Sequence, residues 1–178
     1  MDFDPAAWDD LLREARDLRQ PLLQRGFMLG CAESCSGGLI AAAITSLSGS
    51  SQWFERGLVT YSNRAKQDLL GVPDELLQRH GAVSNATARA MATGLLRRAP
   101  LQAALAVTGI AGPEGGSADK PVGLVWFGWA WLEQGQPRCE SASLLLPGDR
   151  QAVRLAAAAY ALRGMRQRLQ QTPATAAC

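Results

Sequence analysis

At 178 residues, with 47% hydrophobic and 19% charged residues, the chain fits one globular domain that can bury a core without staples. A net charge of +2 is too weak a field for nucleic acid, and the scattered arginines (Arg97 and Arg98, then Arg163, Arg166 and Arg168) read as a solvated helix face. No apolar run approaches ~20 residues, and Asp2, Asp4, Asp9 and Asp10 stand where a secretory leader would be apolar. No membrane partner is therefore expected, and the cytoplasm is the simplest compartment.

Asp4-Pro5 is a helix start, with Asp as N-cap and Pro at the first helical position. Trp8, Leu11, Leu12, Ala15, Leu18 and Leu22 follow at helical spacing, Gly26 suits the stop, and Pro21 predicts a kink or break. Residues 27–32 read as a strand, Ser34 to Gly38 as a turn, and 39–47 as a helix with Leu39, Ala43 and Leu47 on one face. After a break at Gly49-Ser50-Ser51 come a strand over 57–61, a helix over 63–70 closed by Gly71, and a short helix over 73–79. Ser84 caps a helix through Arg98, with Ala88, Met91, Ala92 and Leu95 inward. Strands follow over 103–107, 122–131 and about 141–146. Pro147-Gly148-Asp149-Arg150 opens a last helix with Val153, Ala156, Ala157 and Tyr160 on one face. Residues 171–178 read as a disordered tail, which leaves 1–170 as the domain. Strands alternating with helices, then a strand pair, imply an α/β fold: a single-domain, three-layer α/β/α sandwich around a mixed central sheet.

The four cysteines, Cys31, Cys35, Cys139 and Cys178, form no C-x-x-C pair, and His80 is the single histidine. No metal site is expected, and Cys31 and Cys35 read as reduced thiols rather than a disulfide. The segment from Thr108 to Gly123 holds five glycines and two prolines between two apolar runs. Such a loop can bring backbone N–H groups close to an anion or small ligand, although a plain connection is the alternative. It lacks the Gly-Lys-Ser/Thr ending of a P-loop and the spacing of a dinucleotide fingerprint.

Ser34 falls between a strand and a glycine-rich helix start, beside N–H groups that could hold an oxyanion or a phosphate. On local pattern alone, an N-cap role for Ser34 or Ser36 is the simpler reading. A serine nucleophile needs a base. His80-Gly81 reads as a helix-terminal turn. Lys66 follows the strand end at Tyr61 by one helical turn, and a partly buried lysine can act as a base with a tyrosine hydroxyl relaying or orienting. A solvated surface role is the simpler reading for an isolated helical lysine. Ser117-Ala-Asp-Lys120 matches S-x-x-K without its companion motifs, and is taken as chance.

Five motifs then stand in register: Ala32-Glu-Ser-Cys-Ser-Gly-Gly38, Val59-Thr-Tyr-Ser-Asn-Arg-Ala-Lys66, His80-Gly-Ala-Val-Ser84, Thr108-Gly-Ile-Ala-Gly-Pro113 through Lys120-Pro-Val-Gly123, and Pro147-Gly-Asp-Arg150. Together they resemble the CinA C-terminal domain family over about residues 6 to 170. The resemblance implies hydrolysis of the carboxamide of nicotinamide mononucleotide to nicotinate mononucleotide and ammonia, in pyridine-nucleotide salvage and without a cofactor. It implies Ser34 as nucleophile, with Lys66 and Tyr61 activating it. It also implies substrate contacts from Glu33, Ser36, Gly37, Gly38, Thr108, Gly109, Gly112 and Arg150. N–H groups near Gly37 and Gly38 are expected at the oxyanion, and Arg150 at the nucleotide phosphate. Ser36 departs from the Thr usual in the family. Many members carry this domain behind a larger N-terminal one, whose activities are not expected here. The alternative is a catalytically silent nucleotide-binding or interaction module of the competence or DNA-damage type. Retention of Ser34, Tyr61 and Lys66 together favours the enzyme. A homo-oligomer is left open.

Overall fold

The computed structural model describes residues 4–171. The first helix, α1 (Pro5–Arg25), starts where the Asp4 carboxylate accepts from the N–H groups of Ala6 and Ala7, and ends at left-handed Gly26. It runs straight through Pro21 in sequence, contrary to the expected break. Leu11, Leu18 and Leu22 all pack into one core with α6 (Arg150–Gln171), and burial along the whole helix outweighs a local cost of about 3 kcal/mol for an interior proline. Arg163 and Arg166 of α6, expected on a solvated face, instead pair with buried Glu14 of α1 at 2.7 and 3.1 Å. Arg168 pairs with Glu140 and lies over the Trp129 ring. The charged face of α6 is therefore an inter-element seam.

The sheet comprises β1 (Leu29–Glu33), β2 (Phe54–Val59), β3 (Ala103–Gly109), β4 (Leu124–Glu133) and β5 (Gln136–Leu145), in the order β2-β1-β3-β4-β5. The first three are mutually parallel and the last two antiparallel, which gives the expected mixed sheet. β2 begins three residues and ends two residues earlier than expected. β5 starts earlier too, because Gln134 and Gly135 both take positive φ and close a two-residue hairpin onto β4.

Helices cover both faces. On one, α1, α6 and α2 (Leu39–Thr45) bury Leu105, Phe127 and Trp129 of the sheet. α2 buries Ile40, Ala43 and Ile44, so its inward face is rotated by one residue from the expected Leu39 and Leu47, which stay partly exposed. On α6, Ala156 is exposed while Ala157, Ala158 and Leu162 are buried, since α1 and the sheet flank that helix on two sides. On the other face lie α3 (Asn63–Leu70), α4 (Asp74–His80) and α5 (Asn85–Arg98), with Met91 and Leu95 packed on small sheet residues Ala104, Ala106 and Ala130. A Cβ at Gly128 would lie 2.2 Å from the Ala88 carbonyl oxygen, so glycine is what lets α5 approach β4 this closely. α3 and α5 occupy the expected spans, capped by the Ser62 and Ser84 hydroxyls. Gln171, expected to open the tail, is the last residue of α6, and the remainder of that expected tail, 172–178, lies outside the described residues.

From β1 the chain crosses by α2 to β2, then by α3, α4 and α5 back to β3 on the opposite side of β1. The carboxyl ends of β1 and β3 thus flank a point where the connections diverge, the usual place for a ligand crevice in an open α/β sheet.

Candidate active site

A cleft of about 260 Å³ opens at that point, lined by Ser34 and Cys35 after β1, Tyr61 and Lys66 after β2, Thr108 and Gly109 at the end of β3 with Ile110 to Gly112 beyond it, and Arg150 at the start of α6. Ser34 follows the last residue of β1, and its N–H donates to the Val107 carbonyl at 3.0 Å, which extends the sheet ladder by one step. The chain then turns sharply through left-handed Gly37 and Gly38 into α2.

Lys66 is fully buried, contrary to the surface role that an isolated helical lysine suggests. Its Nζ donates to the Thr60 carbonyl at 2.7 Å, the Tyr61 carbonyl at 3.3 Å and Ser34 Oγ at 3.1 Å. Three acceptors match the three N–H bonds of an ammonium. In the neutral amine, two N–H bonds remain for the carbonyls and the lone pair faces the Ser34 hydroxyl, which can then donate. Burial draws the Lys66 pKa from 10.5 down to about 8, only partly opposed by the nearby Cys35. A substantial neutral fraction near physiological pH is what a base needs.

Cys35 is the next residue and also borders the cleft, but burial raises its thiol to about 11. Cys31 is pushed well above its ordinary range by burial, then by Glu33. Both are buried, unlinked thiols and poor rivals to Ser34 as nucleophile.

Several expected substrate contacts serve the scaffold. Glu33 is fully buried; Oε2 accepts from the N–H groups of Gly38 and Ile40 at 3.0 and 3.1 Å, and Oε1 from Ala41 at 2.9 Å. A carboxylate thus caps the positive end of α2 from the preceding strand. The expected oxyanion donors are taken up as well, Gly38 N–H by Glu33 and Gly37 N–H by the Ser34 carbonyl at 3.2 Å. Ser36 is fully buried outside the cleft lining, and its hydroxyl has no hydrogen-bond partner among the described residues.

Tyr61 contributes its carbonyl to Lys66; the residue is 63% exposed and shares the cleft lining with Ser34, and its hydroxyl accepts from Arg150 Nη2 at 3.3 Å with no hydrogen bond to Ser34 among the described residues. Arg150 Nη1 donates to the Gly112 carbonyl at 2.7 Å. The Thr108 hydroxyl donates to the Ala82 carbonyl at 2.8 Å and ties the loop before α5 to the cleft. Gly109 and Gly112 both face the cleft.

Arg154, absent from the sequence reading, donates to the Ser36 carbonyl at 3.0 Å and braces the turn from α6. Its position in an alanine-rich helical repeat gives no signal of that role. His80 closes α4, and its carbonyl accepts from Lys120 Nζ at 2.8 Å, so neither residue joins the Ser34 site. Among the described residues, no group of three His, Cys, Asp or Glu side chains could hold a metal ion.

Sheet order, strand-end serine and buried lysine define an α/β domain with a serine–lysine pair at its topological switch point. Residues 13–169 match the model of the CinA C-terminal domain, and the chain belongs to that family. It is similar to the nicotinamide-nucleotide amidohydrolase PncC of Enterobacter agglomerans, 53% identical over 141 residues, which covers 79% of this chain and 84% of that protein. The protein of the same name from Escherichia coli K12 is 47% identical over 163 residues, 91% of this chain and 96% of that one. The crystal structure of the competence/damage inducible protein CihA from Agrobacterium tumefaciens aligns with a TM-score of 0.84 at 44% identity, over 96% of this chain and 100% of that chain.

Proposed function

We propose that this protein is a nicotinamide-nucleotide amidohydrolase that converts nicotinamide mononucleotide and water to nicotinate mononucleotide and ammonia, in the cytoplasm and in pyridine-nucleotide salvage. The observation that carries this reading is the buried Lys66 Nζ at 3.1 Å from Ser34 Oγ, in a cleft at the switch point. The names of the PncC relatives supply the substrate class.

Ser34 Oγ attacks the carboxamide carbon while its proton passes to neutral Lys66. The carbonyl π pair moves onto oxygen. When the intermediate collapses, the C–N bond breaks, Lys66 returns the proton to nitrogen and ammonia leaves an acyl-enzyme. Water then attacks, Lys66 again takes the proton, and Ser34 is released with the product acid. Arg150 is suited to the phosphate, because its guanidinium lies on the cleft wall and its present partners are a carbonyl and a phenol rather than a carboxylate.

Ammonia release from nicotinamide mononucleotide by the purified protein tests the reading. Wild type releases ammonia above a no-enzyme control, and Ser34→Ala does not while retaining its fold by circular dichroism. Silence of the wild type would select a nucleotide-binding module instead. Full activity of Ser34→Ala would refute the covalent route.

A further inference from the structure

We infer that the backbone N–H of Gly109, joined by that of Cys35, forms the oxyanion hole; this rests on the amidohydrolase reading above. The evidence is the phase of the β3 hydrogen-bond ladders. Toward β4 the even-numbered residues carry the bonds: Ile110 N–H donates to the Leu124 carbonyl at 2.9 Å, and the Gln102 carbonyl accepts from Leu132 N–H at 2.9 Å. Toward β1 the odd-numbered residues do so: Ala103 N–H donates to the Met28 carbonyl at 3.2 Å, and the Val107 carbonyl accepts from Ser34 N–H at 3.0 Å.

Successive N–H groups in a strand point to opposite sides, so Gly109 N–H faces the β1 side. There the next acceptor in the ladder is the Ser34 carbonyl. That carbonyl accepts from Gly37 N–H instead, because the chain has already turned away from the sheet. The ladder runs out one step short. Gly109 N–H is left at the cleft wall beside Ser34, with no acceptor among the described residues. An N–H that the ladder leaves unused at a cleft wall is available to an oxygen that gains charge only during reaction.

Elimination on the other wall agrees. The N–H groups of Ser34, Gly37, Gly38, Ile40 and Ala41 all have acceptors. The N–H groups of Cys35 and Ser36 face only the Cys35 sulfur, a weak acceptor, and that of Cys35 follows Ser34 directly, where serine hydrolases of the nucleophile-elbow type place one oxyanion donor. One donor from the turn after β1 and one from the end of β3 would grip the amide oxygen from two sides as the Ser34 Oγ–carbon bond forms.

Replacing Gly109 by glycolic acid, an amide-to-ester exchange, deletes this N–H and leaves the backbone shape. Loss of one oxyanion donor lowers the single-turnover acylation rate about 10²–10³-fold, with the melting temperature near that of wild type, since no native hydrogen bond to that N–H is lost. The control exchange places leucic acid at Leu132, whose N–H bonds the Gln102 carbonyl far from the cleft. That variant loses melting temperature and keeps its acylation rate. An active wild type with a Gly109 ester variant within about threefold of it overturns the oxyanion assignment alone. So does a rate loss at Gly109 that merely tracks a fall in melting temperature. A wild type that releases no ammonia overturns the amidohydrolase reading itself.

Discussion

The turn after β1 and the loop after β3 meet at one cleft, yet they are held in opposite ways. The turn is fixed from within: Glu33 holds three N–H groups of α2, Arg154 holds the Ser36 carbonyl, and Lys66 ties Ser34 to the end of β2. The loop from Ile110 to Gly123 is mostly exposed between residues 113 and 122, and Arg150 reaches it through the Gly112 carbonyl. Reacting atoms need positions fixed within a fraction of an ångström, whereas a ligand-facing loop gains from adjusting to what it holds. The molecule places Ser34, the proposed nucleophile, on the over-determined side and the exposed Gly115 and Gly116 on the other.

Lys66 is where breaking the rigid side costs most. Lys66→Ala and Lys66→Arg should each lower single-turnover acylation about 10³-fold, roughly 4 kcal/mol of barrier, because guanidinium cannot shed a proton at working pH. An Arg variant within tenfold of wild type would show that charge, not basicity, is what matters. The rate of the wild type should climb with pH and level off above about 8, as the neutral amine becomes dominant. Stability carries the matching sign. Since the folded pKa of about 8 lies below the unfolded 10.5, the unfolded chain holds more protons between those values, and stability rises with pH across that window. Denaturant melts of wild type and Lys66→Met at pH 8 and 10 should diverge accordingly.

Glu33→Gln comes next. The amide presents an NH₂ where one oxygen accepted, leaving a buried N–H facing another donor, and equilibrium unfolding should show a loss of about 2–3 kcal/mol. An unchanged midpoint would mean that the turn does not depend on its carboxylate. On the adaptable side, Arg150→Ala should raise KM about 30-fold with kcat within threefold, the pattern for lost ground-state binding. An equal fall in kcat would move Arg150 into the chemistry. The smallest effect belongs to Tyr61→Phe: its hydroxyl meets only Arg150 at 3.3 Å among the described residues, and steady-state kinetics should change no more than about twofold. A hundredfold loss of kcat would restore the tyrosine to an activating role.

Local signals carried much of this fold. Ser62 and Ser84 begin α3 and α5 as N-caps, Gly71 ends α3, and the succession of elements implied the mixed sheet. The β4–β5 hairpin escaped because its first turn residue is Gln134, not the Asn or Asp that usually marks such a turn. In the site, motif resemblance named Ser34 and Lys66, but their contact arises because the crossover after β2 carries Lys66 of α3 to the turn that follows β1. The other partners of Lys66 are backbone carbonyls, which every residue has and no sequence advertises. The resemblance places Glu33 among the substrate contacts. Its real partners lie five to eight residues onward and become visible only once the turn is folded.

The carboxylate of Glu33 also occupies what would otherwise be an anion site beside Ser34. A helix start beside a nucleophile is ordinarily a landing place for phosphate. Here that place is already filled by a side chain of the protein's own, so the N–H groups of Gly38, Ile40 and Ala41 are not open to an incoming anion. The three hydrogen bonds that hold the turn therefore also leave Arg150 as the guanidinium on the cleft wall for such a group.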